Sequence, residues 1–258
     1  MNRSSLLRRL PGALFMLVIG LFVVGSARAA LTLIPGGLNP GDQFRVAFVT
    51  SGGRNSTSAI IGDYDQFVSN LALAAGINTY FGDAVTWQAI VSTPAVGITP
   101  AISAISRLPA TSPAIYRIDG ALVATSGADL WDGSLLNPIN RTELNVGVPA
   151  GDETNTWVWT GTLSTGAGGG ANALGPSGSG AIYGRANRTT ASWVTTDASL
   201  PRSDQFRLYA YSSVLTVPGG AAPVPEPGSI LVLAGLSAFG FVGFRGRQQA
   251  LRRTNGSQ

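Results

Sequence analysis

The chain has 258 residues, with 17 basic and 13 acidic side chains and no Cys or His, and every basic residue is Arg. A Ser-His or Cys-His nucleophile pair, a Lys Schiff base, a disulfide framework and an imidazole or thiolate zinc site are therefore excluded. Carboxylates are what remains of the usual catalytic side chains.

Residues 1–12 carry Arg3, Arg8 and Arg9 without an acid, residues 13–24 are an unbroken apolar run, and Ala27-Arg28-Ala29 places small residues at alternate positions. This order predicts a signal peptide over residues 1–29 with cleavage after Ala29, because the run is short of the about 20 residues that a span needs. The exported domain then occupies residues 30–217. In residues 43–50 Phe44, Val46 and Phe48 alternate onto one face and predict a strand, followed by the turn sequence SGGRNS. Ile60, Ile61, Tyr64, Phe67, Val68, Leu71 and Ala75 recur at helical spacing over 57–75, and Gly76 ends the run. Residues 85–92 predict a second strand. Residues 114–117 and 121–124 flank Ile118-Asp119-Gly120, a hairpin signal because Asp-Gly accepts positive φ. Residues 156–160 and 206–217 complete a strand-rich second half, so the pattern predicts a single α+β domain. Between the last two strands, residues 161–180 hold eight glycines. Within them, 166–171 formally matches a dinucleotide fingerprint, but Gly and Pro interrupt any following helix, and the stretch predicts a mobile surface loop.

A Pro/Gly/Ala linker covers 218–227. Residues 228–244 then carry no charge over 17 positions, and Arg245, Arg247, Arg252 and Arg253 follow. As a helix this stretch is about 25 Å long, which predicts a short transmembrane helix with a cytoplasmic Arg-rich tail over 245–258 and the domain outside. Between 30 and 224, nine Arg face twelve Asp and Glu, a formal charge of −3. The basic balance belongs to the two ends, and the domain has no electrostatic footprint for nucleic acid.

Val224-Pro225-Glu226-Pro227 stands before the apolar stretch and the Arg cluster closes it. Motif, helix and cluster in this order at the extreme C-terminus resemble the PEP-CTERM sorting domain of Gram-negative bacteria. The resemblance implies an exosortase-type membrane protease as partner. It makes Pro225, Glu226 and Pro227, with Arg245 and Arg247 beyond the helix, a processing signal on a protein anchored in the inner membrane and later delivered to the cell surface or medium. Two prolines around Glu226 lack amide donors and favour extended backbone, a form in which a protease can take the segment.

FRVAFVTSGG, a helix ending in LALAAG, YRIDGALV, LWDG, VWTGT, YGRA, Trp193 and FRLYAYSSVL together are similar to the endostatin branch of the C-type-lectin-like fold. The resemblance implies a lectin-like domain. The disulfides and histidine zinc site of endostatin-like domains cannot exist in this sequence, so zinc binding does not carry over.

The densest carboxylates are Asp129 and Asp132 in the LWDG region and Asp152 and Glu153 before Trp157. Oxygen-rich loops can hold Ca²⁺, and a metal in a lectin-like fold can take sugar hydroxyls as ligands. The competing role, as turn formers and helix caps, is the commoner use of Asp and Asn. Trp87, Trp131, Trp157, Trp159 and Trp193 offer sugar platforms, although core packing is the commoner role for so few. The expectation from sequence is a non-enzymatic exported protein associated with extracellular polysaccharide or biofilm matrix. The alternative is a cell-surface glycoside hydrolase acting through a pair of these carboxylates.

Overall fold

Phe44, Val46 and Phe48 are fully buried on one face of strand β1 (Gln43–Val49), and Ala47 and Val49 are fully buried on the other. A strand dressed in this way has to be covered on both sides, and the rest of the domain supplies the covers. The computed structural model describes residues 30–149, 153–196 and 198–219. The segments expected as signal peptide and transmembrane helix lie outside them, as do Pro225, Glu226, Pro227, Arg245, Arg247 and Asp152. Among the described residues no helix is long and apolar enough to cross a membrane.

The elements run β1, α1 (Ile61–Ala75), β2 (Thr79–Tyr80), β3 (Asp83–Ala84), β4 (Trp87–Ala89), α2 (Ala104–Arg107), β5 (Ile115–Arg117), β6 (Leu122–Ala124) and α3 (Gly127–Leu130). After these come β7 (Trp157–Trp159), β8 (Ala181–Arg185), β9 (Ser199–Leu200), β10 (Tyr209–Ser212) and β11 (Leu215–Thr216). The main sheet has the order β4-β10-β1-β5-β6, with β11 paired to the start of β1. Only the β1 and β5 pair is parallel; β1 runs antiparallel to both β10 and β11, with Ala47 opposite Tyr211 and Gln43 opposite Thr216. β7, β8 and β9 form a second sheet, and β2 and β3 a small hairpin. The architecture is thus mixed α and β, with several sheets and few helices.

One core lies between the main sheet and α1, where Tyr64, Val68 and Ala72 meet Phe44, Val46, Phe48 and Trp87. The other lies on the opposite face, where Leu130, Trp131 and Trp193 meet Ala47, Val49, Tyr209 and Tyr211. Each fully buried large side chain contributes about 1.5–3 kcal/mol. The Trp131 and Trp193 rings lie 5.7 Å apart, tilted by 30°, and the Trp131 indole N–H donates to Leu108 O at 2.9 Å.

The strand at 43–49 and the hairpin form as the pattern predicts. Gly120 sits at φ +91, Arg117 N donates to Ala121 O, and the Asp119 carboxylate grips the Arg117 guanidinium at 2.7 Å. The helix starts at Ile61 rather than at 57 because Ser58 ties down the lead-in: its hydroxyl accepts from Ile60 N at 3.1 Å and donates to Asp63 at 2.5 Å. Its end is as expected, with Gly76 at φ +79 returning its N–H to Ala72 O and Leu73 O. Of residues 85–92 only Trp87–Ala89 form a strand: Ile90 N still bonds Tyr209 O of β10, but Ser92 N leaves that strand for Thr160 O near the second sheet. The long last strand begins only at Tyr209 and breaks at residues 213–214, although Ser213 N still bonds Thr86 O beside β4.

The glycine stretch corrects its expectation. Ala173 and Leu174 are buried, and the Arg202 guanidinium, itself 8% exposed, donates to the carbonyls of Ala171, Ala173, Gly175 and Gly178. Many glycines on a polar loop suggest mobility, but here they let backbone carbonyls crowd round a buried cation. A Cβ on Gly178 would meet Ala171 O at 2.6 Å and Arg202 Nη2 at 2.9 Å.

Candidate functional site

Three chain segments meet where β1 ends. Arg54 and Phe206 exchange backbone hydrogen bonds at 2.9 and 3.1 Å, which lays residues 51–54 along 205–207. The approach favours glycine at position 53, where a Cβ would stand 3.1 Å from the backbone of Gln205 and Phe206 and push it back by a few tenths of an ångström. The third segment enters β7, and Arg207 ties it in: its Nε donates to Asn155 O at 2.9 Å, while Nη1 donates to Thr50 O at 2.6 Å and Ser51 O at 2.7 Å. Burial lowers the Arg207 pKa and the charge of Glu143 partly restores it; a guanidinium stays cationic under any physiological condition. Glu143, only 3% exposed, accepts from Ser51 N at 2.9 Å and from the Ser51 hydroxyl.

These contacts frame a surface pocket of about 130 Å³ bounded by Ser51, Asn155, Trp157, Gln205, Phe206 and Arg207. Trp157 packs edge to face on Phe206 at 5.2 Å and lies 5.3 Å from Tyr183. The pocket therefore joins an aromatic wall to amide, hydroxyl and guanidinium groups.

The carboxylates singled out from sequence sit elsewhere. Asp129 accepts from Thr125 N at 2.6 Å and Thr125 Oγ1 at 2.9 Å while its own N–H bonds Ser126 Oγ, a reciprocal cap at the start of α3. Asp132 closes a turn by accepting from Ser134 N and Oγ. Glu153 pairs with Arg185 at 3.1 Å and Arg188 at 3.5 Å. Among the described residues no group of three or more His, Cys, Asp or Glu is placed to hold a metal ion. Of the tryptophans, Trp87, Trp131, Trp159 and Trp193 are buried, and Trp157 lines this pocket. Sequence reasoning did not find Ser51, Glu143, Asn155, Gln205 or Arg207 as a group. Their signal is spatial, since Ser51 lies 92 residues from Glu143 and 156 from Arg207.

Residues 223–248 match the family model of the PEP-CTERM protein-sorting motif. The chain carries this sorting motif. Pro225, Glu226, Pro227, Arg245 and Arg247 all fall within the matched residues. The match supports export and surface sorting in a Gram-negative bacterium, with an exosortase as the processing partner. No curated protein matches the chain at a significant level.

Proposed function

We propose that the protein is an exported, surface-sorted, non-enzymatic component of the extracellular matrix. Its domain binds polysaccharide at the Trp157 pocket, and its tail is held in the inner membrane until an exosortase removes it. The observation that carries the reading is the sorting motif at 223–248. For sorting, Glu226→Ala is expected to leave full-length chain in the membrane fraction; unchanged mass and unchanged release into the medium would refute it.

The binding half draws support from the aromatic and polar lining of the pocket. The C-type-lectin-like reading draws it from the antiparallel pairing of β1 with β10 and β11, which sets the first and last strands side by side. A role without catalysis is supported by Asp129, Asp132 and Glu153, each engaged in a cap, a turn or an ion pair. The test is a polysaccharide array probed with the full chain, with Ca²⁺ and with chelator, beside Asn155→Ala and Gln205→Ala variants. Retention that both variants weaken supports the pocket. Silence in both conditions removes the lectin reading, and signal lost only with chelator moves the site to a metal-dependent loop.

A further inference from the structure

A second groove, of about 530 Å³, opens where the described chain leaves the domain; its walls include Pro40, Tyr80, Phe81, Asp83, Val217 and Pro218. Backbone bonds fix its base: Val217 N donates to Asp42 O and Gly41 N to Val217 O, both at 2.9 Å. Phe81 is out of keeping with its position. It occupies a two-residue hairpin loop between Tyr80 and Asp83, at φ +48 with Gly82 at φ +100. Asn or Gly takes that conformation freely and an aromatic residue does not. The residue is nevertheless 51% exposed, its ring standing edge to face on Tyr80 at 4.8 Å. Tyr80 is 3% exposed, and its hydroxyl has no hydrogen-bond partner among the described residues. The groove thus offers the exposed Phe81 ring, backed by buried Tyr80, together with Pro40 and Pro218.

Those are the features that receive polyproline II segments, whose rings pack between aromatic side chains and whose backbone carbonyls are left unpaired. A segment of that chemistry starts at the groove: residues 220–227 read GAAPVPEP, directly after Gly219. We propose that the Tyr80 and Phe81 groove is a docking site for the chain's own proline-rich linker, residues 221–225, so that the folded domain holds the segment leading to Glu226. Ala222 lies three residues beyond Gly219, within about 10 Å of chain. The effective concentration of so short a tether makes even a weak apolar contact sufficient.

The absence of cysteine in the native sequence permits a direct test. In the full-length chain the pair Asp83→Cys and Ala222→Cys is oxidised and its bridging rate measured by mass spectrometry of the joined peptides. The comparison pair is Gln43→Cys and Ala222→Cys, since Gln43 is exposed and faces Thr216. Bridging at 83 is expected to be at least about tenfold faster than at 43, the enrichment a seated segment shows over a tethered one. Adding Phe81→Asn removes the ring in a residue that suits the backbone, and should bring the rate at 83 down to that of the comparison pair. Equal rates for the two pairs, a rate indifferent to Phe81→Asn, or bridges formed mainly between two chains would each overturn the proposal.

Discussion

Replacing Arg202 with Ala tests how a glycine-rich segment is held without disulfides. The guanidinium donates to Ala173 O at 2.6 Å, Ala171 O at 2.8 Å, Gly175 O at 2.9 Å and Gly178 O at 3.4 Å. Among the described residues it has no ion-pair partner, so these carbonyl dipoles are what solvates its charge. The alanine variant leaves the carbonyls of buried Ala173 and Gly175 unpaired, at about 1–3 kcal/mol each. The outer two, on exposed Ala171 and Gly178, turn to water. The expected loss is about 2–6 kcal/mol, a large part of an ordinary domain stability of about 5–15 kcal/mol. Arg202→Lys should lose roughly half as much, because an ammonium keeps the charge but lacks the planar fork that spans several carbonyls. Urea unfolding of the purified chain, followed by tryptophan fluorescence, measures both variants, and protease cleavage within 171–178 should rise in parallel. A loss under about 1 kcal/mol for Arg202→Ala, with no new cleavage, would refute the clamp.

Gly184→Ala should prevent accumulation of folded protein, since its Cβ would stand 1.9 Å from Trp193 O in a fully buried part of β8; recovery of the variant with an unchanged unfolding midpoint contradicts the packing described. Burial alone would raise the Asp119 carboxyl, but hydrogen bonds from Arg117 and Ala121 N and the charges of Arg117 and Arg141 outweigh it and hold the pKa below the ordinary value. Its stabilisation is therefore present above about pH 4 and lost as pH falls through the lowered value, so Asp119→Asn should flatten the acid limb of a stability profile; an identical limb argues against the pairing. Burial pushes Tyr209 well above the ordinary phenol value, and raises Tyr64 to about 12 against the opposing charge of Arg54. A raised pKa in the folded state gives stability present in full below about pH 10 and lost at higher pH. Tyr209→Phe should thus show a shallower alkaline loss of urea midpoint than the parent chain, and equal slopes would count against it.

What the sequence made legible is what neighbouring residues decide among themselves. The Asp-Gly corner at 119–120 and the Gly76 stop rest on bonds spanning a few residues, and the 43–49 strand announces itself by its alternation although its ladder bonds reach β5, β10 and β11; each formed where expected. The helix start shifted because Ser58 competes for the first turn with its side chain, which spacing of apolar residues does not register. The pocket was not legible at all: Ser51, Asn155 and Arg207 come from separate segments, joined by one guanidinium reaching three carbonyls. The carboxylate clusters drew notice as dense runs, yet adjacency in sequence is also what a cap or a turn needs, and Asp129 and Asp132 serve those ends.

The absence of Cys and Lys acquires a structural meaning once the arginines are followed to their partners. Arg45 donates to Ser212 O, Arg107 to Ala89 O and Arg117 to Pro138 O, while Arg202 and Arg207 reach four and three carbonyls. Each joins segments far apart in the chain, the task that disulfides perform in many exported domains. A guanidinium does this through a rigid fork of donors that several carbonyls can share, and a lysine ammonium has no such geometry. The device needs no oxidant after export. Arg107 and Arg117 pair in addition with Asp65 and Asp119, whereas the Arg202 contacts are buried or part-buried cation-to-dipole bonds, which salt screens weakly. The segments that Arg207 joins frame the Trp157 pocket, so that one clamp also sets the distance between its aromatic side chains and its polar rim.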